Sequence, residues 1–152
     1  MAIAETAKYE ELVFEVEVTA GSGTFSRLCG LTDVTITRTN TTDSTEVPDC
    51  DDESLPFKIQ RGVRTQDMTL SASGVWALSS DKVMKDWFYT GATKLARLRN
   101  IKVEDDGATG DYESETFPLI MTELSNERTK GQVVSASISF ERNGDTTLAG
   151  KA

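Results

Sequence analysis

The side chains with chemistry to offer are two cysteines, Cys29 and Cys50, and two knots of carboxylates, and the sequence has no histidine to pair with them. A cysteine nucleophile needs a base to take its proton, and imidazole is the usual one. Neither thiol is therefore set up for covalent catalysis. Cys29, between Leu28 and Gly30, has the context of a small buried hydrophobe, with disulfide formation equally open. Cys50 sits among Asp49, Asp51 and Asp52, a poor setting for a nucleophile but an accessible one. The two make no CxxC pair and no zinc cluster, which leaves free thiols or one bridge.

The carboxylates fall at Asp49, Asp51, Asp52 and Glu53, and again at Glu104, Asp105, Asp106 and Asp111. Neither group has the Asp-x-Asp-x-Asp-Gly spacing of a calcium loop, and both read as solvated acidic loops. A glycosidase-like pair would need one carboxyl in a buried position, and no such position is evident. The expectation is a non-enzymatic protein with no metal and no cofactor.

The elements that must carry these residues are mostly strands. Over residues 11–19, Leu12, Phe14, Val16 and Val18 share one face while Glu11, Glu15 and Glu17 share the other, the two-residue period of a half-buried strand. Gly21 to Gly23 supply a turn to a short strand at 25–28, and residues 33–39 form the next strand. From Thr39 to Ser54 almost every residue is Thr, Ser, Asn, Asp or Glu, a longer polar excursion than idle loops usually reach. Phe57, Ile59 and Val63 then climb back towards a regular strand over 67–76. The excursion reads as one long hairpin, with arms at residues 37–45 and 57–64 and a tip at 48–54 that carries Cys50.

One helix is expected over residues 80–89, with Ser80 as N-cap, Asp81 at the positive dipole end, and Val83, Met84, Trp87 and Phe88 on its buried face. Gly91 ends it. Strands follow at 95–103, 115–124 and 133–141, joined by a turn over 104–113, with a frayed tail from Asn143. Pro118 argues that its strand lies at an edge or a bulge. The fold class is mostly β, an antiparallel β-sandwich or barrel carrying one packed α-helix and a long extended β-hairpin loop, in a single domain over residues 1–152 with the hairpin at about 38–64.

The formal charge of −9 argues against a protein that wraps phosphate backbones, because such binders concentrate Lys and Arg. An anionic surface would instead let DNA slide past. The amino terminus has no basic region leading into an apolar one, and no segment approaches the length of a membrane span. A soluble protein made in the cytoplasm, with no membrane partner, is expected.

The order of pieces, GLTDVTITR, then the polar insertion, then RGVRTQDMTLSASGVWALSSDKVMKDWFYTG and a closing VSASISFERNG, resembles the tail tube proteins of tailed bacteriophages and gene-transfer particles. The residues that carry the likeness are Gly30 through Ile36, Arg61 through Gly74 and Phe88 through Gly91, within a resemblance spanning residues 12–145. It implies a structural virion protein of the tail, synthesised in the bacterial host, whose protomers form hexameric rings stacked into a tube for DNA ejection. It also implies that the hairpin reaches a neighbouring ring, through Thr41, Thr42, Asp43, Glu46, Pro48, Asp49, Asp51 and Asp52. Glu15 and Glu17 are the first candidates for lining the lumen. Cys29 and Cys50, which the family pattern does not require, would lock the assembly within or between protomers. Sheath, tape measure and tail terminator proteins are the implied further partners, with double-stranded DNA passing without specific contacts. The rival readings are a soluble β-sandwich binding module, a secretion-system tube protein and a two-carboxylate enzyme.

Overall fold

The protein is described from a computed structural model over residues 8–17, 19, 21–101 and 112–149. After a single 3-10 turn at Tyr9–Glu11, the chain runs through β1 (Leu12–Glu17), β2 (Phe25–Ser26), β3 (Leu31–Val47), β4 (Lys58–Val75), α1 (Leu78–Thr90), β5 (Lys94–Asn100), β6 (Ser114–Glu127), β7 (Ser135–Arg142) and β8 (Thr147–Ala149). Every pairing is antiparallel, and the strands join in one sheet of order β2-β1-β5-β6-β7-β4-β3, with β8 beside β6. The chain is thus mostly antiparallel β with one helix. The acidic group from Glu104 to Asp111 lies outside the described residues.

Period-two patterning builds the core. Met68, Leu70 and Ala72 of β4 are buried, as are Ala136, Ile138 and Phe140 of β7 and Phe117, Leu119 and Met121 of β6. Leu70 stands opposite Phe140 and Ala72 opposite Ile138, so neighbouring strands put their apolar residues on the same face. Met84 and Trp87 of α1 complete this cluster. The Trp87 ring lies 5.0 Å from that of Phe140, and its indole N–H donates to the Ala92 carbonyl at 2.8 Å, which satisfies the one polar atom the burial would strand.

Three local expectations change. The helix starts at Leu78 with Ala77 as N-cap, and Ser80 lies inside its first turn. There Ser80 is buried, and its hydroxyl donates to the Cys29 carbonyl at 3.4 Å, tying the helix to the start of β3. Gly91 does end the helix, in the left-handed conformation at φ 66°, donating its N–H to Trp87.

Pro118 lies within a central strand. It faces Leu95 of β5, while the other edge of β6 is covered by β8 over Ser114–Thr116 and by β7 only from Leu119 onward. Its carbonyl accepts from the Asn143 N–H at 2.9 Å, so its own missing N–H points into the gap between those two strands. The bulge anticipated near it occurs just beyond, between Met121 and Glu123. The tail expected to fray instead supplies β8, with Leu148 opposite Glu115.

Candidate functional site

The polar excursion is strand as far as Val47 and returns as strand from Lys58. β3 and β4 pair from Leu31 with Gly74 out to Val47 with Lys58, with register shifts at Leu31/Asp33 and Thr41/Thr42. Beyond Thr69, where β4 leaves β7, the two strands have no other strand partner among the described residues. Every residue from Thr37 to Glu46 and from Lys58 to Asp67 is exposed. At the rise of an antiparallel strand, the ten steps from Thr37 to Val47 carry this ribbon about 35 Å beyond the core. Isolated two-stranded ribbons are marginal in water, and this one also leaves Phe57, Ile59 and Val63 more than half exposed. Ile59 and Val63 lie on one face with Thr42, Ser44 and Glu46 opposite, so the apolar side chains form a stripe that Arg61 interrupts.

Of the sequence candidates, Thr41, Thr42, Asp43 and Glu46 lie along the ribbon, and Pro48, Asp49, Asp51 and Asp52 at its tip. Asp43 faces Arg64 at 3.8 Å, a loose pair open to water. At the tip, Asp49 accepts from the backbone N–H groups of Asp51 at 2.9 Å and Asp52 at 3.3 Å. Asp52 accepts from the Ser54 hydroxyl at 2.6 Å and its N–H at 3.0 Å, and these two bonds lower its pKa. The tip is therefore a string of Asx turns.

Both cysteines are exposed free thiols. The buried neighbour at the first position is Leu28, which corrects the reading of Cys29 as a core residue. A bridge within the chain is excluded by distance: the cysteines flank β3 at opposite ends, about 50 Å apart along a 17-residue strand.

Glu15 and Glu17 also require correction. Neither faces open solvent: they are 8% and 3% exposed. Glu15 meets Arg97 directly across β1 and β5 at 2.9 Å, and the same guanidinium lies over the Phe25 ring at 4.4 Å. Glu17 folds over the following turn, accepting from the N–H groups of Gly21 at 2.6 Å and Gly23 at 3.2 Å. Alternation predicts apolar-in and acidic-out, but here the acidic face is covered as well. Both carboxylates are thus engaged within the subunit, Glu15 by an arginine and Glu17 by backbone amides.

Two features escaped the sequence reading. At the root of the ribbon Gly30 and Gly74 cross in contact: a Cβ on Gly74 would come within 2.0 Å of the Gly30 carbonyl, and one on Gly30 within 2.6 Å of the Val75 carbonyl. The backbone bond from Val75 N–H to Gly30 O, 3.0 Å, fixes this crossing. The second is a groove of about 810 Å³ between β1 and β3. These strands lie near opposite ends of the sheet order, so the sheet curls round without joining. Leu12, Phe14, Leu31, Val34 and Ile36 give the groove an apolar lining, and Lys8, Arg27 and Arg38 bring positive charge to it beside Glu10 and Asp33. Arg38 is anchored through two bonds to Glu115, Nε–Oε1 at 3.0 Å and Nη2–Oε2 at 2.5 Å, which raise its pKa.

Fold and surface together define a single-sheet antiparallel β protein that projects a solvent-bare ribbon far beyond its core. The chain belongs to the phage tail tube protein family, whose sequence model matches residues 6–147. Its role is accordingly that of a structural protein of the phage tail. Similar solved structures include the tail of an empty gene transfer agent (GTA) particle determined by helical refinement in C6 symmetry, at TM-score 0.73 and 15% identity over 95% of this chain and 100% of that one. The virion of a native GTA particle gives 0.70 and 12% over 95% and 100%, and the SPP1 tail tube from solid-state NMR and cryo-EM gives 0.70 and 11% over 96% and 80%. No curated protein sequence matches the chain.

Proposed function

We propose that this protein is the repeating subunit of a tail tube: six copies close into a ring, and rings stack into a hollow conduit through which double-stranded DNA leaves the particle. The observation that carries this reading is the ribbon. A chain gains nothing from extending twenty-odd exposed residues about 35 Å into water, with an apolar stripe along them, unless another chain covers them. Ring closure supplies partners for the free strand edges as well, turning an aggregation liability into a repeated contact. The particles whose tails share this fold include one with C6 symmetry, which supports a ring of six.

In this reading Thr41, Thr42, Asp43, Glu46 and the tip residues Pro48, Asp49, Asp51 and Asp52 make contacts between rings, and no substrate is turned over. The net charge of −9 keeps passing DNA from adhering. Tape measure, tail terminator and, in a contractile tail, sheath proteins bind the finished tube. Once outside the reducing cytoplasm, Cys29 of one subunit and Cys50 of another form a disulfide, two thiols giving two electrons and two protons to dioxygen to leave hydrogen peroxide. Electron microscopy of the concentrated full chain tests the reading. Rings or tubes of sixfold symmetry are expected, and a protein that stays monomeric at every concentration overturns it.

A further inference from the structure

We propose that Asn143, in the turn between β7 and β8, is a site of spontaneous deamidation, and that the isoaspartate formed there releases β8 from the sheet. The proposal concerns the subunit alone and stands apart from what the subunit assembles into.

Asparagine is thermolabile to a degree set by the residue that follows it and by the freedom of that residue's backbone nitrogen. Asn40, Asn100 and Asn126 lie within β3, β5 and β6 and are followed by Thr41, Ile101 and Glu127, whose side chains crowd the nitrogen. The Ile101 N–H is also occupied, donating to the Glu11 carbonyl at 2.9 Å. Asn143 differs on each count. It lies outside the strands, it is exposed, and it precedes Gly144, which is exposed as well and has no Cβ to shield its nitrogen. The Gly144 N–H has no hydrogen-bond partner among the described residues.

The fold requires that glycine. Its φ is 137°, and a Cβ there would come within 2.8 Å of the Pro118 ring. The Asn143 N–H in turn donates to the Pro118 carbonyl at 2.9 Å. The labile Asn-Gly pair is therefore the consequence of turning the chain past Pro118 to lay β8 beside β6.

The chemistry needs only water and hydroxide. Hydroxide takes the Gly144 amide proton, and the nitrogen attacks Cγ of Asn143. A new C–N bond closes a succinimide ring, the Cγ–Nδ2 bond breaks, and Nδ2 leaves as ammonia after taking a proton from water. Water then opens the ring. Attack at Cγ gives aspartate, and attack at the main-chain carbonyl gives isoaspartate, whose backbone runs through Cβ and is longer by one atom. One water is consumed and one ammonia released, with no change of oxidation state. In the folded chain Nδ2 donates to the Thr93 hydroxyl at 3.0 Å. That bond restrains the amide and limits how often Cγ meets the nitrogen, so Thr93 is a positioning residue that slows the reaction.

β8 is poorly held against the change. It pairs with β6 at three positions, and all of its residues are exposed. Its register is set from the β7 side, where Asn143 bonds to Pro118 and the Arg142 guanidinium donates to the Thr146 hydroxyl at 2.8 Å. An added backbone atom between these anchors and Thr147 displaces the strand. Its departure opens the edge of β6 over Ser114–Thr116 to pairing with another chain.

The test begins with the unmodified full chain, incubated for weeks in warm, mildly alkaline buffer and then digested. Mass spectrometry should find the peptide holding Asn143 one mass unit heavier, with isoaspartate exceeding aspartate, while the peptides holding Asn40, Asn100 and Asn126 keep their mass. Higher pH should speed the gain. Thr93→Val should speed it severalfold, and Thr93→Ser, which keeps the hydroxyl, should not. Hydrogen exchange of the aged protein should quicken over residues 114–116 and 147–149 and stay unchanged in β4 and β7. An Asn143 that keeps its amide in the native chain throughout overturns the site. Conversion to isoaspartate with unaltered exchange overturns the release of β8, and a Thr93→Val rate equal to that of the unmodified chain removes Thr93 from it.

Discussion

Arg97 holds Glu15 from across the sheet while its guanidinium rests on Phe25, so three strands meet at one cation. Replacing Glu15 with Ala leaves that cation without its carboxylate in a mostly covered site. The expected loss of stability is about 2–3 kcal/mol, at the lower end for broken buried pairs because Arg97 retains some contact with water, and urea unfolding measures it. Nothing in the alternation of residues 11–19 revealed this, since an acidic face covered by an arginine and one bathed in water have the same spacing. The arginine that decides between them lies 82 residues away. At the ribbon tip the chemistry is local and was readable. Ser54 donates twice to Asp52, and its hydroxyl is the larger cause of the lowered pKa. A carboxyl whose pKa is depressed on folding adds stability above its unfolded value, and loses it as the pH falls through the folded one. Ser54→Ala should therefore move the Asp52 titration upward, towards that of an ordinary aspartate, in an NMR pH series.

Among the elements, the strands with one covered face were legible because their period is two and their buried residues are large: Met68, Leu70 and Ala72 fall where the pattern puts them. The helix was found from its apolar spacing and Gly91, although its start was misplaced by a serine whose hydroxyl bonds to Cys29 and caps nothing. Pro118 misled for a different reason. A proline is barred from a ladder only where its N–H is wanted, and here that side of β6 meets a gap between β7 and β8. The ribbon root depends on two glycines whose importance is steric and not conformational at Gly74. Gly74→Ala would drive a Cβ to 2.0 Å from a backbone oxygen that cannot move aside without unpairing Val75 from Gly30. Such a variant should lose more than about 3 kcal/mol, or accumulate as insoluble protein, whereas Gly62→Ala, with open space around it, should change stability by less than about 1 kcal/mol. Paired thermal melts of the two variants check the contrast.

At the scale of the whole molecule, the contacts that matter for a tail protein lie outside its own core. Family membership was legible because the order of glycines, helix and closing strand survives in the chain, yet the groove was not, since it is made by strands from opposite ends of the sheet. Ile59→Asp with Val63→Asp places charge on the ribbon's apolar stripe without touching a buried residue. The monomer should keep its melting temperature within a few degrees, while sedimentation shows tubes lost or much reduced. The same ribbon sets a condition on the subunit before any tube exists. Free strand edges and bare apolar side chains would draw copies together at random in a crowded cell, yet Lys58, Arg61, Arg64 and the acidic tip interrupt every apolar run along it. In the assembly proposed above, that interruption would weaken the first contact between two free subunits more than the addition to an already shaped end, so polymerisation would wait for a nucleus.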